Sequence, residues 1–254
     1  GYVNADGGTY VAWNWDMGSS TVTNTAGNIN SQVRANTTYG QSIVTYTGTD
    51  GAGQAIGHGV GATVKFILLK NLTESNEVFY VSHPTIRALN ANKYLDLNTT
   101  AAAAENADGA WAGSLPNSSI FYVHGAGRTN RNGQNYVAYC WAEIAGYSKF
   151  SSYTGTGGTH TVTTGFSPAL IMIKQSSAAG ENWKMYDNTR YPNTAEKTLD
   201  ANTNGVEGGG SAIKINYLST GFQVVGTNAD INTNNATYIY AAFADKREYA
   251  YWLD

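Results

Sequence analysis

The chain holds four histidines, His58, His83, His124 and His160, and no two of them share metal-ligand spacing or stand near a Gly-x-Ser-x-Gly elbow. Cleavage of sugar chains would need two carboxylates at a set separation, one in an apolar setting. The recurring acids come in pairs, Asp96 with Asp200 and Glu143 with Asp245, at equivalent places of an internal repeat. An acid that recurs in equivalent turns reads as a structural cap rather than half of an asymmetric catalytic pair. Gly51-Ala-Gly-Gln-Ala-Ile-Gly57 is glycine-rich, but no helix follows it to hold a phosphate. Thr227-Asn-Ala-Asp-Ile-Asn232 offers the oxygen atoms that calcium takes, without the full spaced pattern. Cys140, set in Val-Ala-Tyr-Cys-Trp-Ala, is the only cysteine and reads as a small core residue rather than a nucleophile. These residues point away from a metabolic enzyme: they supply no catalytic residue, no cofactor site and no metal beyond the calcium option.

What remains is binding, which β proteins perform with aromatic rings and a few amide, carboxylate and guanidinium groups. Ala104-Glu-Asn-Ala-Asp108-Gly-Ala-Trp111 puts an indole in a loop that is matched only by Gly208-Gly209-Gly210 later in the chain. His124-Gly-Ala-Gly-Arg128-Thr-Asn130-Arg131-Asn132 gathers donors just before a repeated strand. Trp111, Asp108, His124, Arg128, Asn130 and Arg131 are therefore the candidate ligand residues. Trp111 has a second reading, as a cover for a neighbouring loop or a partner chain.

Composition sets the surroundings of such a site. Only 13% of the 254 residues are charged, whereas Gly (29) and Tyr (18) abound and Trp occurs six times. The surface must be built from neutral Asn, Thr and Ser, and the strand formers Thr, Tyr, Val and Ile outweigh helix formers. The net charge is −3 and the longest basic run is Lys246-Arg247, which disfavours nucleic acid as a partner. No apolar run approaches the roughly 20 residues of a membrane span, so membrane insertion is not expected either. The opening residues lack the basic-then-apolar pattern of a secretory signal. A neutral, hydroxyl-rich exterior without disulfides suits a particle assembled in a reducing cytoplasm and then released.

The elements repeat. Ile43-Val-Thr-Tyr-Thr-Gly48 returns as Phe150-Ser-Ser-Tyr-Thr-Gly155, and Thr63-Val-Lys-Phe-Ile-Leu-Leu-Lys70 as Ala169-Leu-Ile-Met-Ile-Lys174. Tyr94-Leu-Asp-Leu-Asn98 matches Thr198-Leu-Asp-Ala-Asn202, and Ser119-Ile-Phe-Tyr-Val-His-Gly125 matches Thr220-Gly-Phe-Gln-Val-Val-Gly226. Tyr136-Val-Ala-Tyr-Cys-Trp141 matches Tyr238-Ile-Tyr-Ala-Ala-Phe243. The offset drifts from 107 residues (Ile43 to Phe150) to 101 (Ser119 to Thr220), as small loop insertions and deletions would produce.

The last phrase occurs a third time, as Tyr10-Val-Ala-Trp-Asn-Trp15. Its period-two alternation predicts a strand with Val11, Trp13 and Trp15 on one face and Tyr10 on the other. In the other two copies both faces are apolar, so those strands are expected to be buried on both sides. The predicted fold is all-β: a leading strand and hairpin over 1–41, then two homologous jelly-roll or Greek-key sandwiches over 42–145 and 146–254. The hairpin is expected at Thr21-Val-Thr and Ile29-Asn-Ser-Gln-Val33, and one or two helical turns within 99–108. A chain opening on the closing strand of its own repeat was either cut from a longer array or completes a sheet in a neighbour by strand addition.

The repeated phrases resemble a family of tandem β domains, without assigned function, found in tail-fibre and other virion proteins of marine tailed phages. Thr21-Val-Thr-Asn-Thr-Ala-Gly-Asn-Ile-Asn-Ser-Gln-Val33, Ile56-Gly-His-Gly59, Gly146-Tyr-Ser-Lys-Phe150 and Tyr251-Trp-Leu-Asp254 carry the resemblance, with the repeats above. It implies a virion or extracellular location and a structural or adhesive role, with no catalytic residues to carry over. The expected partners are a host cell-surface glycan, further copies of the chain or neighbouring virion proteins. A self-assembling decoration or filament protein is the alternative reading, and a polysaccharide depolymerase the third.

Overall fold

The computed structural model describes residues 5–105, 110–125 and 128–245. It is all-β, with antiparallel pairing throughout the named strands. In the first half the strands are β1 (Thr21–Asn24), β2 (Ser31–Asn36), β3 (Gln41–Thr47), β4 (Gln54–Gly57), β5 (Val64–Asn71) and β6 (Phe79–Ser82). Helix α1 (Pro84–Leu89) precedes β7 (Leu95–Asp96), β8 (Ile120–Val123) and β9 (Asn135–Ala142). The second half holds β10 (Ser148–Thr154), β11 (His160–Thr163), β12 (Leu170–Gln175), β13 (Lys184–Asp187), β14 (Thr194–Ala195) and β15 (Lys197–Asp200). Then come β16 (Gly208–Gly209), β17 (Ile215–Leu218), β18 (Gly221–Val224), α2 (Ala229–Asn232) and β19 (Thr237–Phe243).

The large sheets run β1-β2-β3-β9-β5-β6-β7 and β10-β19-β12-β13-β15-β16. Each is faced by a smaller one, β4-β8 in the first half and β11-β18-β17-β14 in the second. Every phrase repeated in the sequence takes the same place in both orders: β3 with β10, β9 with β19, β5 with β12, β7 with β15 and β8 with β18. Registers agree as well, Tyr46 opposite Tyr136 and Tyr153 opposite Tyr238. Both tyrosine pairs stack, at 5.1 Å with 10° and 12° between the rings.

Three cores follow from the alternation. Ala138, Cys140 and Ala142 of β9 face Ile56, Phe121 and Val123 of the small sheet. Tyr238, Tyr240 and Ala242 of β19 face Val162, Phe222 and Val224. The opposite faces, with Phe66 and Trp141 from one sheet and Met172, Ile239 and Phe243 from the other, join in a third core at the junction of the halves. This is why the repeated strands are apolar on both faces: each central strand lies between two buried layers.

The connections repeat too. The Asn130 side chain accepts from Thr49 N (2.9 Å) and donates to Gly51 O (2.8 Å); Asn232 accepts from Thr156 N (2.9 Å) and donates to Gly158 O (2.9 Å). The Tyr136 hydroxyl accepts from Arg131 N, and that of Tyr238 from Thr233 N. A Cβ on Gly48 would meet Arg131 O at 2.2 Å and one on Gly155 would meet Thr233 O at 2.2 Å, so each Tyr-Thr-Gly phrase ends where only glycine fits.

Three expectations need correction. Residues 8–18 form no strand; in both large sheets the place between the first and third matched strands is already filled, by β9 or β19, so the third copy has no ladder to join. No helix forms over 99–105, and the rest of that expected segment, 106–108, lies outside the described residues. Helix α1 starts instead where the His83 ring accepts from Thr85 N ahead of Pro84, and α2 where Asn228 accepts from Asp230 N. The expected hairpin forms, shifted to β1 and β2, and it extends the first large sheet rather than linking to it.

Candidate functional site

Five of the six predicted ligand residues lie among the described residues, and each of the five has a structural partner there. Trp111 is fully buried in the first core, beneath the Arg87 guanidinium at 5.2 Å, so it plugs that core instead of reaching out of a loop. Asn130, also fully buried, is the bracket described above, and Asn232 repeats its role. Arg131 pairs with Glu77 at 3.2 Å. The Arg128 guanidinium lies over the rings of Tyr80 (5.7 Å) and Tyr94 (5.5 Å) and donates to the Tyr80 hydroxyl. His124 is half-buried, its backbone N–H donating to the Thr129 hydroxyl at 3.1 Å. Asp108 lies outside the described residues. Neither of the two cavities described next is lined by any of the five described ones.

Both cavities lie at the junction, on either side of the extended segment that carries Trp13 and Trp15. This strap runs between the halves and is fixed to each. Trp13 Nε1 donates to Asp187 Oδ2 at 3.2 Å on the β13 side. On the β3 side Gln41 Nε2 donates to Asp16 O (2.5 Å) and Asn36 Nδ2 to Asp16 Oδ2 (3.0 Å). Between these anchors Trp15 meets Trp141 at 5.8 Å and Phe243 at 5.5 Å, and those two rings are 5.8 Å apart, all edge to face. The three rings occupy the same position of the three phrase copies. With no ladder bonds, the segment is held by these hydrogen bonds and by the ring contacts, each worth about 0.5–1.5 kcal/mol beyond burial.

One cavity, about 570 Å³, is lined by Trp13, Trp15, Tyr39 and Tyr147 together with Asn14, Asp16, Gln41, Asp187, Thr189 and Asp245. Its walls are preset. Tyr147 donates to Gln41 Oε1 at 3.1 Å and packs on Tyr39 at 5.0 Å; burial holds its hydroxyl protonated, with the pKa pushed up to about 12. Asp187 is buried and held ionically by Arg190 Nε at 2.6 Å, and Arg190 also lies 6.0 Å from the Trp13 ring. The other cavity, about 410 Å³, is apolar except for Asn14 and the Tyr139 side chain. Sequence reasoning placed Trp13 and Trp15 in an assembly strand and missed Tyr39, Gln41, Tyr147 and Asp187. Gly146-Tyr-Ser-Lys-Phe150 was a visible signal, but its meaning depends on how the two sheets face each other.

Other candidate chemistry is absorbed by structure. In the 227–232 loop, Asn228 caps α2, Asp230 pairs with Lys184 at 3.0 Å and Asn232 forms the bracket. Among the described residues no group of three or more His, Cys, Asp or Glu could hold a metal ion. Asp200 pairs with Lys184 at 2.9 Å, and Glu143 accepts from Phe150 N at 2.9 Å. Burial raises the Cys140 thiol pKa and lowers those of His58 and His83 to about 4, so none is poised for chemistry near neutrality. Among the described residues no helix is long and apolar enough to cross a membrane.

Comparison with curated proteins and with solved structures gave no match. A family described as a domain of unknown function, DUF7483, matches residues 1–247. The chain belongs to the DUF7483 family.

Proposed function

We propose that the chain is a duplicated β-sandwich module of a virion surface or tail-fibre protein, and that it attaches to a host-surface glycan through the polar side of its junction. The paired brackets and matched registers support the duplication. The glycan reading rests on one observation: a cavity of about 570 Å³ that combines five aromatic side chains with amide, hydroxyl and carboxylate groups. Rings stack on sugar faces while the polar groups meet hydroxyls, and the volume lies within the usual range for small-ligand sites. Asp187 is bound by Trp13 and Arg190, which suits holding a sugar rather than cleaving it. The resemblance to tail-fibre domains supports the location.

A glycan array followed by titration of the retained saccharide tests this. Saturable binding is expected, weakened at least about tenfold by Thr189→Trp at the exposed rim, with the sugar chain left uncut in a reducing-sugar assay. Retention of no saccharide, or binding indifferent to the substitution, overturns the reading. Self-assembly is a second reading, favoured by the strap, whose phrase forms a ladder in both other copies but none here. Removal of residues 1–18 would then abolish higher oligomers in size-exclusion chromatography.

A further inference from the structure

We propose that the apolar side of the junction is a separate binding site, for an uncharged hydrophobic molecule of about two fused rings. The cavity measures about 410 Å³, well above the roughly 150 Å³ of an apolar cavity that holds one benzene. No charged side chain lines it, and Asn14 and Tyr139 are the only lining residues with an amide or hydroxyl group, which disfavours ions and sugars.

One feature makes it more than a packing fault. All three methionines of the chain, Met17, Met172 and Met185, line this one cavity, each from a different segment: the strap, β12 and β13. Thioethers are polarisable and unbranched, and surfaces rich in them adapt to apolar ligands. The site is independent of the glycan reading, although Trp13, Asn14, Trp15 and Phe243 line both cavities and form the partition between them.

The test uses 6-propionyl-2-dimethylaminonaphthalene, a neutral two-ring ketone whose emission shifts to the blue in apolar surroundings. Saturable one-to-one binding with a blue shift is expected. Ala201→Phe and Leu97→Trp, which fill the cavity from opposite halves, should abolish it, and 2-naphthoate should bind at least about tenfold more weakly than the ketone. Bound ketone should also slow peroxide oxidation of Met17, Met172 and Met185, read residue by residue by mass spectrometry. Absence of saturable binding overturns the proposal. So does binding that survives both filling variants while their melting temperatures match the parent, or a concentration-dependent dimer that protects the methionines without ketone.

Discussion

In the first half of the molecule Tyr80 stands opposite Asp96, and in the second Lys184 stands opposite Asp200. The strands are equivalent and the register is the same, yet one pair is bridged by an ion pair and the other is not. Lys184 bonds Asp200 at 2.9 Å and Asp230 at 3.0 Å, whereas Asp96 keeps a buried oxygen without a partner while Arg128 covers Tyr80 from above. By contrast, the two bonds that the Asn130 and Asn232 brackets share agree to within 0.1 Å, and Asn232 adds a third to Gly226 O. What the halves share holds the turns against the sheets. What they do not share closes the ends of the cores, by Trp111 and the β1–β2 hairpin in one, by β14, β17 and the Lys184 ion pairs in the other.

The sharpest way to break this comparison is Lys184→Met. It leaves two nearly buried carboxylates facing each other, and a loss of about 3–5 kcal/mol in urea unfolding is expected. Tyr80→Phe at the matching place should cost less than about 1 kcal/mol.

Acid should separate the halves next. His58 lies in the first half, and His83 reaches across the junction, with Nε2 3.1 Å from the Tyr240 carbonyl. Both are held neutral by burial, with pKa values lowered to about 4. From about pH 6.5 down to 4 the unfolded chain takes up protons that the folded rings refuse, so stability falls over that window and levels off below it. The effect is up to about 3 kcal/mol per histidine. Hydrogen exchange should therefore speed up in the first half and at the junction before β11, β18 and β17.

Asn130→Ala and Asn232→Ala each strip a bracket, and each should cost about 2 kcal/mol. Unequal losses would show that the brackets are not equivalent. Trp15→Ala, read by the same unfolding curves, should cost about 1–2 kcal/mol and loosen both halves alike, since its ring contacts one residue from each.

Much of this architecture was legible. The phrase ending in Trp141 and Phe243 announced two strands buried on both faces, because apolar residues at every position leave no face for water. The brackets were missed because asparagine is common in turns, although Asn130 precedes Tyr136 by the same interval as Asn232 precedes Tyr238. Trp111 misled because a glycine-flanked indole looks exposed, while a loop can fold back to fill the end of a core. The junction was illegible for a different reason: its cavities belong to no single strand but to the outward faces of two sheets and the segment laid between them.

That segment also sets how the molecule would bear load. A pull on the amino end reaches Trp13 and Trp15 before it reaches any ladder hydrogen bond, and it is shared between Asp187 on one side and Gln41 on the other. Under tension the indoles would slip out first as a sacrificial clasp, lengthening the chain while both cores stay shut.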